Sequence, residues 1–511
     1  MTCCSTTCRK WTSFGFSLGF LVSGFLLIFG WKSLFDTITN YELSLRSGTF
    51  QYKAWLDPPV DIYMDLFPFN WTNVDEFRKS KVWVKPRLEE TGPYTFSIRL
   101  SRDNVKFNDN GTVSYNTIRT YHFVPERSNG SMDDILTVLD PVQMTIASVL
   151  KDKHYLIQRG THYFLRRFNL TLDLSTTIRQ LSFEGVRHPA MDFAERLRLM
   201  KGYDIPYDKF GWFYTRNGSA SFEGDYTSWT GEGDIRKAGI IDEWNHSKHS
   251  SSYTGECSRV DGSSGDVFHP VNDDPTFSLF QADFCGKVTL ERNGSDTVDD
   301  IEGNLYISTD KMFDNGTKYP ERACFNPPGV TVENGLRNLT LCQYHAPAFI
   351  SLPHFYLGDA SLREAIDGMH PDPDKHKMYF LLEPTLGVPL KAHIVFQANM
   401  KLYSVSPIDS FKSVQNTTIP MMWIRVNSGM PDNYGSLIKL SFVAPTIGVC
   451  IGYSFVVLSL FLCGCGVMLE IKMRKGEHSY YNYVTNLFSK GSFSVTPLTA
   501  ADVMSNDNNS V

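Results

Sequence analysis

The pattern of hydrophobic and polar positions gives the chain two apolar ends around a long mixed middle region. Residues 11–31 and 440–469 contain no charged side chain. A helix of about 20 apolar residues crosses a hydrocarbon layer of about 30 Å, so each run is long enough for one crossing. A cleavable signal peptide is the alternative for the first run, but no small-x-small cleavage site follows it before Lys32 and Asp36. The pattern therefore predicts two transmembrane helices, the first of them an uncleaved anchor.

Charges beside the two runs predict the orientation of the chain. Arg9 and Lys10 precede the first run, and a basic cluster at 472–475 follows the second. Because cytosolic flanks of membrane helices carry an excess of lysine and arginine, both tails are predicted to be cytosolic. The predicted organisation is a cytosolic tail at 1–10, a transmembrane helix at 11–31, an extracellular or lumenal domain at 32–439, a second transmembrane helix at 440–469 and a cytosolic tail at 470–511.

Glycosylation triplets follow the same division of the chain. Ten N-x-S/T triplets lie between the two apolar runs, and one, at Asn508, lies in the C-terminal tail. Glycans on such triplets belong to secreted and exoplasmic segments, so the distribution supports the predicted orientation. The predicted acceptors are Asn70, Asn110, Asn129, Asn169, Asn217, Asn245, Asn293, Asn315, Asn338 and Asn416.

The cysteines also divide between the middle region and the ends. Four lie in the middle region, an even number in a compartment that is predicted to be oxidising, and four cysteines allow three disulfide connectivities. Those near the predicted cytosolic boundary are either acceptors for S-palmitoylation or reduced thiols. The middle four are Cys257, Cys285, Cys324 and Cys342, and the boundary five are Cys3, Cys4, Cys8, Cys463 and Cys465.

The middle region shows two kinds of local pattern and no internal repeat, which predicts one large α+β domain. Polar and apolar residues alternate, between turn-forming segments, at 81–84, 94–98 and 112–115, as expected of strands. A helical section is predicted over about 131–201, with Ser131 as an N-cap and Pro141 as an interruption. Within it, helices are also predicted near 154–168, 177–184 and 190–201.

The predicted helical section is basic within an acidic chain. From Lys151 to Lys201 there are ten Lys/Arg against five Asp/Glu, while the whole chain carries a formal net charge of −6. A solvated helical face is the ordinary explanation of such a run. The functional alternative is a cationic surface that attracts lipid headgroups, fatty-acid carboxylates or acidic proteins.

Sequence motifs that are typical of enzymes give little support for a catalytic function. The chain has no H-E-x-x-H helix, no G-x-x-x-x-G-K-S/T phosphate loop and no G-x-G-x-x-G dinucleotide loop. His246 and His249 are three residues apart in a serine-rich stretch, where histidines are usually solvated rather than bound to a metal. We therefore predict no catalytic residues, no metal and no cofactor.

Short segments spread over the chain resemble the class B scavenger receptor family. Gly48-Thr49-Phe50 precedes an E-T-G-P-Y-T-F segment at 90–96. Three further segments follow in the order and approximate spacing of that family: I-S-L-P-H-F at 350–355, A-I-D-G at 365–368 and L-E-P-T-L-G at 382–387.

The resemblance implies both a fold and a function. The implied fold is a large antiparallel β-barrel ectodomain with a helical-bundle cap and an apolar tunnel directed at the membrane, in addition to the two transmembrane helices. The implied function is a cell-surface receptor that binds lipids or lipid-bearing particles and passes cargo to the membrane. The implied partners are fatty acids, sterol esters, carotenoids, phospholipids or lipoprotein particles, with no nucleic acid and with homo-oligomers left open. The alternative is a docking or phagocytic receptor for protein, apoptotic-cell or microbial ligands.

The resemblance also assigns roles to residues. It implies the disulfides Cys257–Cys324 and Cys285–Cys342, and acylation near Cys3 and at the Cys463/Cys465 pair. Plasma-membrane location is predicted, with lysosomal or endosomal membrane as the alternative, and the segment 481–484 has the Tyr-x-x-apolar form of an endocytic signal. The implied ligand-binding residues lie on the basic helical section: Lys151, Lys153, His154, Arg166 and Arg167.

Overall fold

A computed structural model describes residues 6–60, 62–80, 82–192, 207–327, 329–330, 332–431 and 434–490. The chain forms two compact units. One consists of the chain ends, up to Thr37 and from Leu440. The other spans Ile38 to Lys439 and corresponds to the predicted ectodomain, a name that is kept for it below.

The ectodomain is built on one 14-stranded antiparallel sheet, with a separate two-stranded sheet beside it. Its main path runs β8-β7-β4-β3-β1-β16-β15-β14-β11-β10-β9, so the first long strand pairs with the last. The strands are β1 Ile62–Trp71, β2 Leu88–Glu90, β3 Tyr94–Phe107, β4 Thr112–Phe123, β5 Ile135–Leu139, β6 Asp173–Thr177, β7 Asp225–Trp229, β8 Ile241–Trp244, β9 Thr276–Gln281, β10 Gly286–Val298, β11 Ile301–Ile307, β12 Arg337–Asn338, β13 Ala348–Ser351, β14 Tyr379–Leu382, β15 Pro389–Leu402 and β16 Thr417–Gly429.

A short segment around Ser263 bridges the two edge strands of this path. Ser263 forms isolated bridges with Ile240, next to β8, and with Leu279 of β9. Its backbone N–H donates to Ser278 and its carbonyl accepts from Phe280, both at 2.9 Å. The sheet is therefore nearly closed, which leaves few unpaired edge groups and confirms the predicted antiparallel barrel.

Helices pack beside the barrel as the cap. The helix α4 (Pro141–Leu150) begins with Asp140 as N-cap, whose carboxylate accepts from the N–H groups of Val142 at 2.9 Å and Gln143 at 3.3 Å. The helix α5 (Tyr155–Arg167) follows and confirms the helix predicted near 154–168. The other α-helices in the described part of the ectodomain are short: α2 Phe50–Leu56, α3 Val74–Lys79, α6 Ala360–Glu364, α7 Pro373–His376 and α8 Asp409–Lys412.

The helix predicted from Ser131 is wrong over its first part. Residues 135–139 form strand β5, which pairs with β6 from Ile135↔Thr177 to Leu139↔Asp173. Pro141 occupies the first turn of α4, where proline is favoured because its missing N–H would have no helical partner. The proline therefore marks the start of a helix and not the predicted interruption within one. The stretch predicted at 177–184 contains the short π-helix Gln180–Glu184, and most of that at 190–201 lies outside the described residues.

The terminal helices are long and apolar enough to cross a membrane, as predicted. They run from Thr6 to Leu43 (α1) and from Tyr434 to Lys490 (α9), beyond the charge-free runs on both sides. In the unit that the chain ends form, the hydroxyl of Ser17 donates to the carbonyl of Ser459 at 2.9 Å. The Cβ that a residue larger than glycine would carry at position 24 would clash with the second helix. Small residues thus allow the two helices to pack closely in this unit.

Two of the segments that carry the family resemblance, 90–96 and 350–355, meet at a polar cluster outside the barrel wall. Glu90 accepts hydrogen bonds from Nε2 of His354 at 2.6 Å and from Nε1 of Trp423 at 2.7 Å. The ring of His376 stacks on that of His354 with 4.7 Å between centroids. Burial lowers the pKa of His376 to about 4, so this ring is neutral at physiological pH. The cluster fixes the segments after β13 against the sheet.

Candidate functional site

The barrel encloses a cavity of about 1740 Å³. Successive side chains of a strand point to opposite faces, so every second residue of the wall strands faces inward. On β15 the inward residues run from Ala392 to Met400, a length of about 26 Å at ~3.3 Å per residue. The cavity exceeds the usual volume of a small-molecule pocket and suits a long apolar molecule. The lining residues on the two central strands are mostly apolar and include Ala392, Ile394, Phe396, Ala398 and Met400 of β15, and Met422, Ile424 and Val426 of β16.

The cavity lining includes both the cap helices and the ectodomain segments that adjoin the terminal helices in sequence. On α5 the lining residues are Ile157, Thr161 and Phe164, which share one helical face. At the other end, the lining includes Pro58 and Pro59 before β1 and residues 428–431 around the end of β16. The cavity thus extends from the cap to the segments that lead into the terminal helices.

A charge network built around the buried carboxylate of Glu223 forms one part of the cavity wall. Nε of Arg119 and Nη2 of Arg216 donate to the same oxygen of Glu223, at 2.5 and 2.7 Å, and Nη1 of Arg216 donates to both oxygens of Asp283 at 2.9 and 3.0 Å. Burial alone would raise the pKa of Glu223, but the two guanidinium groups outweigh burial and lower the pKa to about 2. The network therefore stays ionised over the physiological pH range.

The structure separates the predicted ligand-binding residues into two groups. Lys151, Lys153 and His154 lie at the start of α5, and Arg166 and Arg167 lie in its last turn, about 20 Å away. All five are exposed. They therefore do not form one basic cluster.

The first of these groups has local roles that the sequence did not indicate. Nδ1 of His154 accepts the N–H of Leu156 at 3.3 Å and caps α5. The ammonium of Lys151 lies 3.8 Å from the centre of the Tyr403 ring. Lys153 lines the cavity, which connects the basic turn between α4 and α5 to the barrel interior.

Helix α5 carries exposed apolar side chains that were not predicted from the sequence. Leu156 is 71% exposed and Tyr163 is 61% exposed, and Tyr155 and Phe168 are each at least half exposed. An apolar group of this kind beside basic residues is typical of a docking surface. The sequence did contain an indication of this exposure, because the 13 residues of α5 place apolar side chains on more than one face of the helix.

The four ectodomain cysteines form the disulfides Cys257–Cys324 and Cys285–Cys342, the pairing that the resemblance implies. The second bridge places Asp283 and Gln343 beside each other, and Nε2 of Gln343 donates to the carbonyl of Asp283 at 2.9 Å. Of the predicted palmitoylation sites, Cys8 is exposed and the pair Cys463/Cys465 is half-buried. Cys3 and Cys4 lie outside the described residues.

The predicted glycosylation sites differ in accessibility, and their modification stays a prediction. Asn338 is only 7% exposed, so its burial on β12 opposes a glycan there. Asn70 and Asn315 are half-buried, and each uses its side-chain amide in a hydrogen bond to the backbone. The exposed acceptors are Asn110, Asn129, Asn169, Asn217, Asn245, Asn293 and Asn416.

The two histidines considered as metal ligands contact different partners. Nε2 of His246 lies 3.2 Å from a carboxylate oxygen of Asp225, and Nδ1 of His249 lies 3.0 Å from the hydroxyl of Ser258. Among the residues that the structure describes, no group of three or more His, Cys, Asp or Glu side chains is arranged to hold a metal ion.

Similarity to known proteins covers most of the chain. Protein peste of Drosophila melanogaster is 30% identical over 79% of this chain and 72% of its own length. Scavenger receptor class B member 1 of Cricetulus griseus is 26% identical over 82% of each chain. Lysosome membrane protein 2 of Homo sapiens is 27% identical over 92% of this chain and 96% of its own length. The profile of the CD36 family matches residues 15–469, which confirms the resemblance drawn from the short segments, and the chain belongs to the CD36 family.

Proposed function

We propose that this chain is a class B scavenger-type receptor that binds lipids or lipid-bearing particles and passes hydrophobic cargo through the ectodomain cavity to the membrane. The observation that carries the proposal is the cavity itself, whose lining includes α5 of the cap and the segments that lead into the terminal helices. The family membership and the receptor name of one relative support the receptor part.

The proposed route has a simple energetic advantage. Each methylene of a lipid chain that leaves an apolar environment for water costs about 0.8 kcal/mol. Inward side chains such as Phe396, Met400 and Ile424 offer a continuous apolar wall along the barrel. A lipid that moves along this wall is not exposed to water on its way between a particle and the bilayer.

The proposed topology is a two-pass protein with both tails in the cytosol. The two terminal helices and the positions of the ten ectodomain sequons support this arrangement. The plasma membrane is the proposed location, and lysosomal or endosomal membrane is the alternative, because a lysosomal membrane protein is among the relatives.

Filling the cavity is expected to abolish cargo retention and transfer. Ala398 faces the cavity from the middle of β15, so Ala398→Trp adds an indole to the lumen without breaking a strand hydrogen bond. We expect at least a tenfold loss of lipids that co-purify with the full-length protein, measured by mass spectrometry, and a parallel loss of uptake of labelled lipid by cells. Lys391→Trp is the matched control, because Lys391 is exposed on the same strand and does not line the cavity. Equal lipid retention by the two variants would contradict the proposal.

The second candidate function is docking of proteins or cell surfaces without lipid passage, and the exposed apolar side chains of α5 favour it. Two variants alter the two ends of this helix: Leu156→Asp, and the double charge reversal Arg166→Glu/Arg167→Glu. Since a central apolar contact of an interface is often worth 2 kcal/mol or more, we expect Leu156→Asp to weaken particle binding to cells about tenfold or more. Ile135→Asp, at an equally exposed apolar residue on β5, is the control. If docking is the whole function, Ala398→Trp will leave particle binding unchanged.

A further inference from the structure

One wall of the cavity holds an arginine whose hydrogen-bond donors are only partly used. Arg119 lies two residues from Tyr121 on β4, so the two side chains share the inward face. The bond from its Nε to Glu223 is the one hydrogen bond that this guanidinium makes to the described residues. Its side chain keeps 23% exposure and lines the cavity. The two terminal nitrogens are therefore open to whatever occupies the cavity.

The guanidinium is held in place from several directions. Glu223, 5% exposed, is shared with Arg216, and Arg216 in turn holds both oxygens of Asp283. Asp283 lies two residues before Cys285, whose disulfide to Cys342 fixes that turn. A donor group positioned in this way needs little reorganisation when a ligand binds.

A second unpaired donor lies in the same network. Nε of Arg216 is buried and has no hydrogen-bond partner among the described residues. An acceptor in the cavity that pairs with the terminal nitrogens of Arg119 would add hydrogen bonds that the described residues do not supply. The two arginines and two carboxylates cancel in formal charge, so the site can accept either a charged or a neutral oxygen. A guanidinium presents its N–H groups as a planar fork, which suits two oxygens on one carbon.

We infer that Arg119 binds the acyl oxygens of a lipid whose hydrocarbon chain lies in the barrel cavity. The acyl group comes either from a free fatty acid, as a carboxylate, or from a fatty-acid ester. The inference rests on the proposed function, because it names the anchoring residue for cargo within the proposed route. It also gives the receptor a means to select acyl lipids over hydrocarbons of equal length.

The test compares three probes that share one chain length: hexadecanoic acid, methyl hexadecanoate and hexadecane. The full-length protein is reconstituted in phospholipid nanodiscs, and deuterated probe bound at equilibrium is quantified by mass spectrometry. We expect Arg119→Met to weaken binding of the acid about tenfold or more, since it removes the hydrogen bonds that a charged donor makes to the carboxylate. Hexadecane binding should change less than threefold. Arg119→Lys keeps the charge but loses the fork, so it should show a smaller loss with the same preference among probes.

The outcomes separate this inference from the proposed function. Loss for the acid alone identifies a free carboxylate as the ligand group, and loss for both acid and ester identifies the acyl carbonyl. Two results would overturn the anchoring role. In the first, both Arg119→Met and Arg119→Lys lose binding of all three probes equally. In the second, both variants bind all three probes as well as the unmodified protein does. Ala398→Trp serves as the reference: if it leaves all three probes bound, the cavity is not the cargo site and the proposed function fails instead.

Discussion

Replacing Gly368 by alanine is expected to keep most of the protein from reaching the cell surface. Gly368 has φ +104°, and a Cβ at this position would overlap the backbone carbonyl oxygen of Leu88. That backbone cannot move freely, because the N–H of Leu88 donates to the carbonyl of Asp367 at 2.9 Å and β2 pairs with β1. The strained φ costs about 1–2 kcal/mol and the clash adds to it, so we expect a total loss above about 3 kcal/mol. Surface labelling and the thermal midpoint of the detergent-purified protein measure this loss.

Gly48→Ala separates the clash from the backbone strain. Gly48 has a similar φ of +93°, but a Cβ there would meet no atom within 4 Å. This control should therefore show only the strain, about 1–2 kcal/mol, and should still reach the surface. If the two alanine variants have the same thermal midpoint, the close approach to Leu88 does not determine the stability of this turn.

The position of Gly368 shows what the family segments contribute to the molecule. Glu90, His354 and Gly368 come from three segments that identify the family, and they hold the chain after β13 against the barrel. In a fourth segment, the carboxylate of Glu383 accepts the N–H groups of Thr385 and Leu386 and closes a turn. Because these segments form the contacts that hold the chain against the barrel, their resemblance to the family predicted the fold correctly. None of these four residues lines the cavity, so they gave no indication of the site.

The cavity network could not be predicted from the sequence for a physical reason. Arg119 and Glu223 are 104 residues apart, and their contact depends on strand order and register, which local patterns do not encode. A single arginine on an alternating strand is ordinarily interpreted as an outward-facing residue. The same limit explains why the basic helical section looked like one cluster, although helix length separates Lys153 from Arg167. Periodicity predicted the element α5 correctly, but not the direction in which its side chains point.

Replacing Glu223 by glutamine is expected to cost about 3–5 kcal/mol, because it removes the charge of a buried carboxylate that two guanidinium groups share. The change is nearly isosteric, so the loss reports charge rather than volume. Glu232→Gln is the matched control, since Glu232 pairs with Arg46 at 2.7 Å but keeps 54% of its side chain exposed. An exposed pair of this kind contributes about 0–1 kcal/mol. Denaturant unfolding of the full-length protein in detergent should therefore show a large loss for the first variant and almost none for the second.

The pH dependence provides an independent measurement of the same network. The pKa of Glu223 is lowered from 4.5 to about 2, so this carboxylate stabilises the folded state above about pH 4.5, and the stabilisation is lost as the pH falls towards 2. A shift of this size corresponds to about 3 kcal/mol, in agreement with the range expected for breaking the pair. The stability difference between the unmodified protein and Glu223→Gln should therefore be largest at neutral pH and should shrink below pH 4. If the difference stays constant between pH 7 and pH 3, the charge on Glu223 does not contribute this stability. The loss would then arise from packing, and the cavity wall would not depend on its ion pairs.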